Sequence, residues 1–149
     1  MITTEKVDEV EDLLHLHNRY FPHLREVREE IVQRMKKGNL IMKNGVLITF
    51  SKVNKFKKLS KNSDMILKPD DVIVHQIATD YSVRGGTKKV FKEFEERMKK
   101  EGVKRLVGSV RKTNNKCMGF GYQNGWKRET EISWGNGWVK GWVYTKQLQ

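Results

Sequence analysis

With a single cysteine, Cys117, the chain can form no disulfide within itself, and a disulfide-stapled secreted scaffold is excluded. A reducing compartment fits, so the cytoplasm is the expected location. No run of about 18 apolar residues occurs, and no membrane span is expected. The first residues are acidic and lack an apolar core, so no secretory signal is expected. His15, His17 and His23 have no cysteine or acidic set at ligand spacing, and no metal site is expected. No Gly-Lys-Ser/Thr follows the double glycine Gly85-Gly86, which excludes a Walker loop. The dinucleotide pattern G-x-G-x-x-G is missing too. No internal repeat or second domain is visible. The 149 residues are read as one domain, long enough for a real core.

Acidic residues are also scarce beside basic ones. Thirty Lys and Arg stand against eighteen Asp and Glu, a net charge of +12. The charge is unevenly placed. Glu5–Asp12 is acidic, whereas Lys52, Lys55, Lys57, Lys58, Lys61 and Lys68 face only Asp64. Arg97–Lys116 carries eight basic residues against Glu101. Such clustering draws polyanions, so nucleic acid is an expected partner. The plainer alternative is a solvated face. Charge argues for association and says nothing of reaction type.

Val7, Val10 and Leu14, then Leu24, Val27, Ile31 and Met35, keep helical spacing, with Pro22 between two helices and Gly38 after the second. Leu40–Met42 and Val46–Val53 read as strands joined at Asn44-Gly45, a strong hairpin signal. The lysine-rich stretch Asn54–Asp71 reads as a long mobile connection, either at a site's edge or a disordered insertion. Val72–Thr79 is nearly continuously apolar apart from His75 and Gln76, as a central strand covered on both faces would be. Two last strands are read at Lys127–Trp134 and Trp138–Thr145. The fold class is α/β, with a mixed, mostly antiparallel sheet and helices on both sides. A terminal edge strand rich in Trp and Gly leaves a homodimer open.

After Val72–Thr79 comes Ser82-Val83-Arg84-Gly85-Gly86-Thr87 and then a basic helix start. That order builds an anion site, because N–H groups at a helix N-terminus point outward and the helix dipole favours negative charge. Val90, Phe91, Phe94 and Met98 give this helix an apolar face, and Gly102 ends it. A short strand follows over Val103–Val110. Then come Asn114-x-x-Cys117-x-x-Phe120 and Gly125-Trp126.

This series resembles the GNAT superfamily of acyl-coenzyme A N-acyltransferases. Gly85 matches their Gln/Arg-x-x-Gly-x-Gly/Ala loop, with Ser82 in place of Gln/Arg and Thr87 in place of the last Gly/Ala. The later segment is similar to their Asn-x-x-Ala-x-x-Phe-Tyr-x-x-x-Gly-Phe at the same spacing. The resemblance is clear from about Val72 onward. It implies two parallel central strands that splay apart, with acyl-coenzyme A entering the gap. It implies that acetyl-coenzyme A is the cosubstrate. It further implies that Ile77, Ala78 and Thr79 pair with the pantetheine arm, that Arg84, Gly85, Gly86 and Thr87 cradle the pyrophosphate, and that Asn114 contacts the pantetheine. Lys88 or Lys89 could pair with phosphate oxygens, or simply belong to an exposed helix face. Asn114 could equally be a helix N-cap.

Transfer from a thioester to an amine needs a proton acceptor for the amine and a donor for the leaving thiolate. Asp71 and His75 are the two candidate bases. Asp71 lies where histone-type members carry a carboxylate, and its alternative is a turn acid in Pro69-Asp70-Asp71. His75 lies near the expected acyl site, with a reference pKa close to neutrality; its alternative is a satisfied core histidine. For the acid, the family often has Tyr after the Phe of its last helix. Gly121 stands there, and Tyr122 follows about 100° round the helix. Tyr122 could serve if the helix is distorted. Cys117 reads as a small core residue rather than a nucleophile.

The expected activity is N-acetyl transfer to an amine, with aminoacyl-tRNA, modified DNA or an acidic protein as the carriers that would complement a basic face. Two rivals are a GNAT-like binding module without catalysis and a GNAT-related nucleobase-modifying enzyme. Small, very basic chains of this kind would suit a phage origin and action in a host cytoplasm.

Overall fold

Asn44 and Gly45 both take positive φ, 53° and 73°, the pair of values that a tight two-residue hairpin turn requires. They join β1 (Leu40–Lys43) to β2 (Val46–Lys52), in antiparallel register from Leu40↔Thr49 to Lys43↔Val46. In the computed structural model the described residues are 5–20, 28–79 and 86–149. The other elements are α1 (Glu5–Tyr20), α2 (Arg28–Lys36), β3 (Lys57–Lys58), β4 (Ile66–Leu67), β5 (Asp71–Thr79), α3 (Thr87–Lys100), β6 (Arg105–Arg111), α4 (Asn115–Gln123), β7 (Lys127–Trp134) and β8 (Val139–Gln147).

Six strands form one sheet in the order β1-β2-β5-β6-β8-β7. The sheet is mixed and mostly antiparallel. Its parallel pair is β5 with β6, joined over their first four residues, Asp71–Val74 against Arg105–Gly108. β6 pairs antiparallel with β8 along its whole length, Arg105↔Gln147 to Arg111↔Gly141. β7 pairs antiparallel with β8, and the register shifts between Arg128 and Thr130. The chain divides into two compact units, Met1–Ser51 with His75–Arg97, and Lys52–Val74 with Met98–Gln149.

In the first unit, Val7, Val10, Leu13 and Leu14 of α1 pack with Ile31, Met35, Leu40, Leu47 and Ala78. The helical spacing of the α1 residues puts them on one face, so one stripe is buried. Arg28 pairs with Glu11 and ties α2 to α1. Phe94 of α3 stacks against Phe50 at 5.1 Å and Phe91 at 5.5 Å, and the Arg97 guanidinium lies 5.7 Å from the Phe50 ring.

In the second unit, Val53, Met65, Leu67, Val107, Ile132 and Val143 form the core, with Leu59, Ile73 and Trp134 packed on it. The lysine-rich connection is therefore a built hairpin and not a long loop. Lys57 pairs with Leu67 and Lys58 with Ile66, and Leu59 N–H donates to Met65 O at 2.9 Å. Burial alternates through Ser63, Met65 and Leu67, while Lys55, Lys57, Lys58 and Lys61 stay in water. Among the described residues no helix is long and apolar enough to cross a membrane.

Candidate functional site

The first unit carries the strand end and the helix start. Side chains alternate along β5. Ala78 enters the core, whereas His75, Ile77 and Thr79 lie on the opposite face, half-buried. His75 Nε2 is 2.8 Å from Ser51 Oγ. Arg34 Nη1 donates to the same hydroxyl at 2.9 Å and to Phe50 O at 3.1 Å. The imidazole is thus held by a hydroxyl that is itself held.

Thr79 Oγ1 lies 3.1 Å from Thr87 Oγ1, which ties the end of β5 to the start of α3. Arg84 and Gly85, and with them Ser82, fall outside the described residues. Gly86 O accepts from Val90 N–H at 2.9 Å, so Gly86 occupies the cap position of α3. It has no side chain with which to satisfy the first N–H groups. No acid occurs in the first turn, and Lys88 and Lys89 are exposed. A Cβ on Gly86 would sit 3.2 Å from Asn44 O and 3.4 Å from Val46 Cγ2. The helix start approaches the hairpin so closely that any side chain at 86 would make the hairpin yield by a few tenths of an ångström. Lys43 clips the same hairpin to α3 through Glu93 at 2.9 Å. That bond holds the Glu93 carboxyl below the usual carboxylate range, and Lys43 and Lys89 charge adds to it.

In the second unit Asp71 is buried at the start of β5. Its carboxylate accepts from Lys68 N–H at 2.8 Å and from Arg105 Nε and Nη2 at 3.1 and 2.6 Å. Arg105 Nη2 also donates to Ile66 O at 3.0 Å. The two side chains are 3% and 13% exposed. This is the turn acid, with a buried partner added. The general-base role expected of Asp71 does not suit a carboxylate shut away from solvent and committed to these donors.

Asn114 caps α4, its Oδ1 accepting from Cys117 N–H at 3.1 Å. Burial pushes the Cys117 thiol up. Tyr122 is 84% exposed. α4 is α-helical throughout Asn115–Gln123, so no distortion swings Tyr122 into the place of Gly121. A Cβ on Gly121 would meet Trp126 Cβ at 3.5 Å, and one on Gly108 would meet the Trp126 ring at 3.7 Å. The indole fills the space beside both glycines. Tyr122 instead lines a hollow of about 500 Å³ with Met118, Gly119, Trp126, Arg128 and Tyr144. Arg128 Nε donates to Tyr144 Oη at 3.2 Å. Arg128 and Tyr144 were not among the expected site residues. Their signal is the β7–β8 register, which sets Arg128 opposite Tyr144. Among the described residues no three or more His, Cys, Asp or Glu gather as a metal site.

No protein-family model matches the chain, and no curated protein sequence matches it. Solved structures do. The ribosomal-protein-S18-alanine N-acetyltransferase from Escherichia coli superposes with a TM-score of 0.70 at 14% identity, over 99% of this chain and 91% of that one. The ribosomal-protein-alanine N-acetyltransferase from Brucella melitensis gives 0.64 at 12% identity, over 98% and 96%. A chain of the NatC complex bound to Gag peptide and CoA gives 0.51 at 15% identity, over 70% and 62%. The fold is the GNAT fold. The sequence resemblance is clear from about Val72 onward and fits the first half by element order alone; the structural likeness covers 99% of the chain. The GNAT strand, helix and parallel strand are β5, α3 and β6 here, and α4 is the helix begun by Asn114.

Proposed function

We propose that the chain is an acetyl-coenzyme A-dependent N-acetyltransferase, a single acyltransferase domain that acetylates an amine by direct attack. One observation carries the proposal. A central strand leads to a glycine-capped helix start with no acid and two exposed lysines, in a fold shared with N-acetyltransferases. Such a start favours an anion through its N–H groups and dipole. The NatC complex, one chain of which shares the fold, is described as bound to CoA, which supports a coenzyme phosphate as the anion.

In this reading Arg84, Gly85, Gly86, Thr87 and Lys88 hold the pyrophosphate. Backbone groups of Ile77, Ala78 and Thr79 pair with the pantetheine. The Asn114 Oδ1 is spent on the cap, so its amide nitrogen serves the pantetheine. The amine nitrogen attacks the thioester carbonyl, a C–N bond forms and the C–S bond breaks. His75 takes the amine proton directly or through water, its ring steadied by Ser51. The leaving thiolate takes its proton from water, because the regular α4 keeps Tyr122 out of the place of Gly121. No acyl-enzyme is needed when both substrates are oriented.

A thiol-release assay tests this with a panel of amines. Peptide N-termini come first, because the Escherichia coli protein is named for a ribosomal-protein alanine. Released coenzyme thiol should match acetylated amine one for one. Cys117→Ser should leave the rate unchanged, and His75→Phe should lower kcat by about 10²–10⁴-fold. An acetyl group trapped on Cys117, with turnover lost in Cys117→Ser, would contradict direct attack. A second reading, coenzyme binding without turnover, is favoured by Tyr122, which stands 84% exposed on a regular α4 and not in the place of Gly121. It predicts coenzyme binding and no thiol release with any amine.

A further inference from the structure

The β6–β8–β7 face of the second unit alternates cations with aromatic rings. Trp142 sits at its middle, with Lys112 Nζ 4.4 Å and Arg128 Cζ 4.6 Å from the ring centre. Lys112 also lines a hollow of about 270 Å³ with Arg111, Trp138 and Lys140. Arg128 also lines the larger hollow that holds Tyr122. Lys112 and Arg128, one from each hollow, flank the Trp142 ring and string the two hollows into one stripe of cations and rings. From Trp138 to Tyr144 a strand covers roughly 20 Å. At the stripe's two ends stand Trp138 and Tyr122, 85% and 84% exposed.

The charges are held in place. The indole of Trp142 steadies Lys112 and Arg128 from within the sheet. Glu131 bonds Lys112 at 2.7 Å. These contacts fix where two of the cations stand before any partner arrives.

We propose that this stripe is a binding site for single-stranded nucleic acid, with phosphates on Arg111, Lys112, Arg128 and Lys140 and bases stacked on the exposed rings of Trp138 and Tyr122. Sheet faces bearing aromatics and cations bind unpaired bases, because every base offers a π-face and every linkage a charge. A duplex keeps its bases stacked on one another and would leave both rings without partners. An acidic peptide would meet the cations but gain little from two separated open rings. The site needs no coenzyme, so it stands or falls apart from the acetyl-transfer reading.

Fluorescence anisotropy of coenzyme-free protein with labelled 12-mer single-stranded DNA and RNA, over a range of KCl, is the test. Four phosphate contacts predict a slope of log affinity against log salt of about −3 for either sugar. Trp138→Ala should weaken binding about tenfold with the slope unchanged. Lys140→Glu should flatten the slope. Lys57→Glu with Lys58→Glu, on the β3–β4 hairpin, should change affinity little. Three results would each overturn the proposal: Trp138→Ala without effect, the hairpin variant losing as much as Lys140→Glu, or duplex DNA or polyglutamate binding as tightly as the single strands.

Discussion

Asp71→Ala lowers the unfolding free energy by about 3–5 kcal/mol in urea titration followed by circular dichroism. The variant strips the carboxylate from a buried pair and leaves the Arg105 guanidinium, 13% exposed, with only Ile66 O among the acceptors described above. The Lys68 N–H loses its acceptor as well. An uncompensated buried charge is among the costliest single defects a fold can carry. The double variant Asp71→Val with Arg105→Met should recover much of the loss, since an apolar pair removes both charges together. A loss under about 1 kcal/mol in Asp71→Ala would mean that water reaches the pair. Acetyl transfer per folded molecule should be unchanged in the double variant, as a purely structural role for Asp71 requires.

Gly86→Glu weakens acetyl-coenzyme A binding at least about a hundredfold, near 2.8 kcal/mol. The substitution has two effects at one place. It sets a carboxylate at the N-terminus of α3, where the proposed pyrophosphate would lie, and like charges repel most where water is thin. It also presses a Cβ on Asn44 O at 3.2 Å. Gly86→Ala carries only the second effect, so it isolates the steric part. Its affinity should fall about tenfold or less, with the hairpin yielding by a few tenths of an ångström. Equal losses in both variants would place the damage in the backbone and not in the charge.

Much of the architecture was legible because it is local. The α3 stripe of Val90, Phe91, Phe94 and Met98, its stop at Gly102 and the Asn44-Gly45 turn each follow from neighbouring residues. Asn114 offered two roles, and the cap is the one visible in its bond to Cys117 N–H. What escaped is long-range. Two-residue strands such as β3 and β4 have no periodicity to detect; they exist because Met65 and Leu67 reach a core made by β6, β7 and β8. Asp71 looked like a free turn acid because its partner, Arg105, lies 34 residues away. The Lys112–Trp142–Arg128 stack needs three strands in register before it becomes a feature. Gly121 read as a missing tyrosine, yet Trp126 occupies the space beside it.

Calorimetric titration of folded, coenzyme-free protein with acetyl-coenzyme A tests the acetyltransferase proposal most directly. One site per chain with roughly micromolar affinity, about −8 kcal/mol, is the predicted result. No heat of binding up to millimolar ligand, on a sample shown to be folded, would contradict it and leave a GNAT fold that does not use the coenzyme.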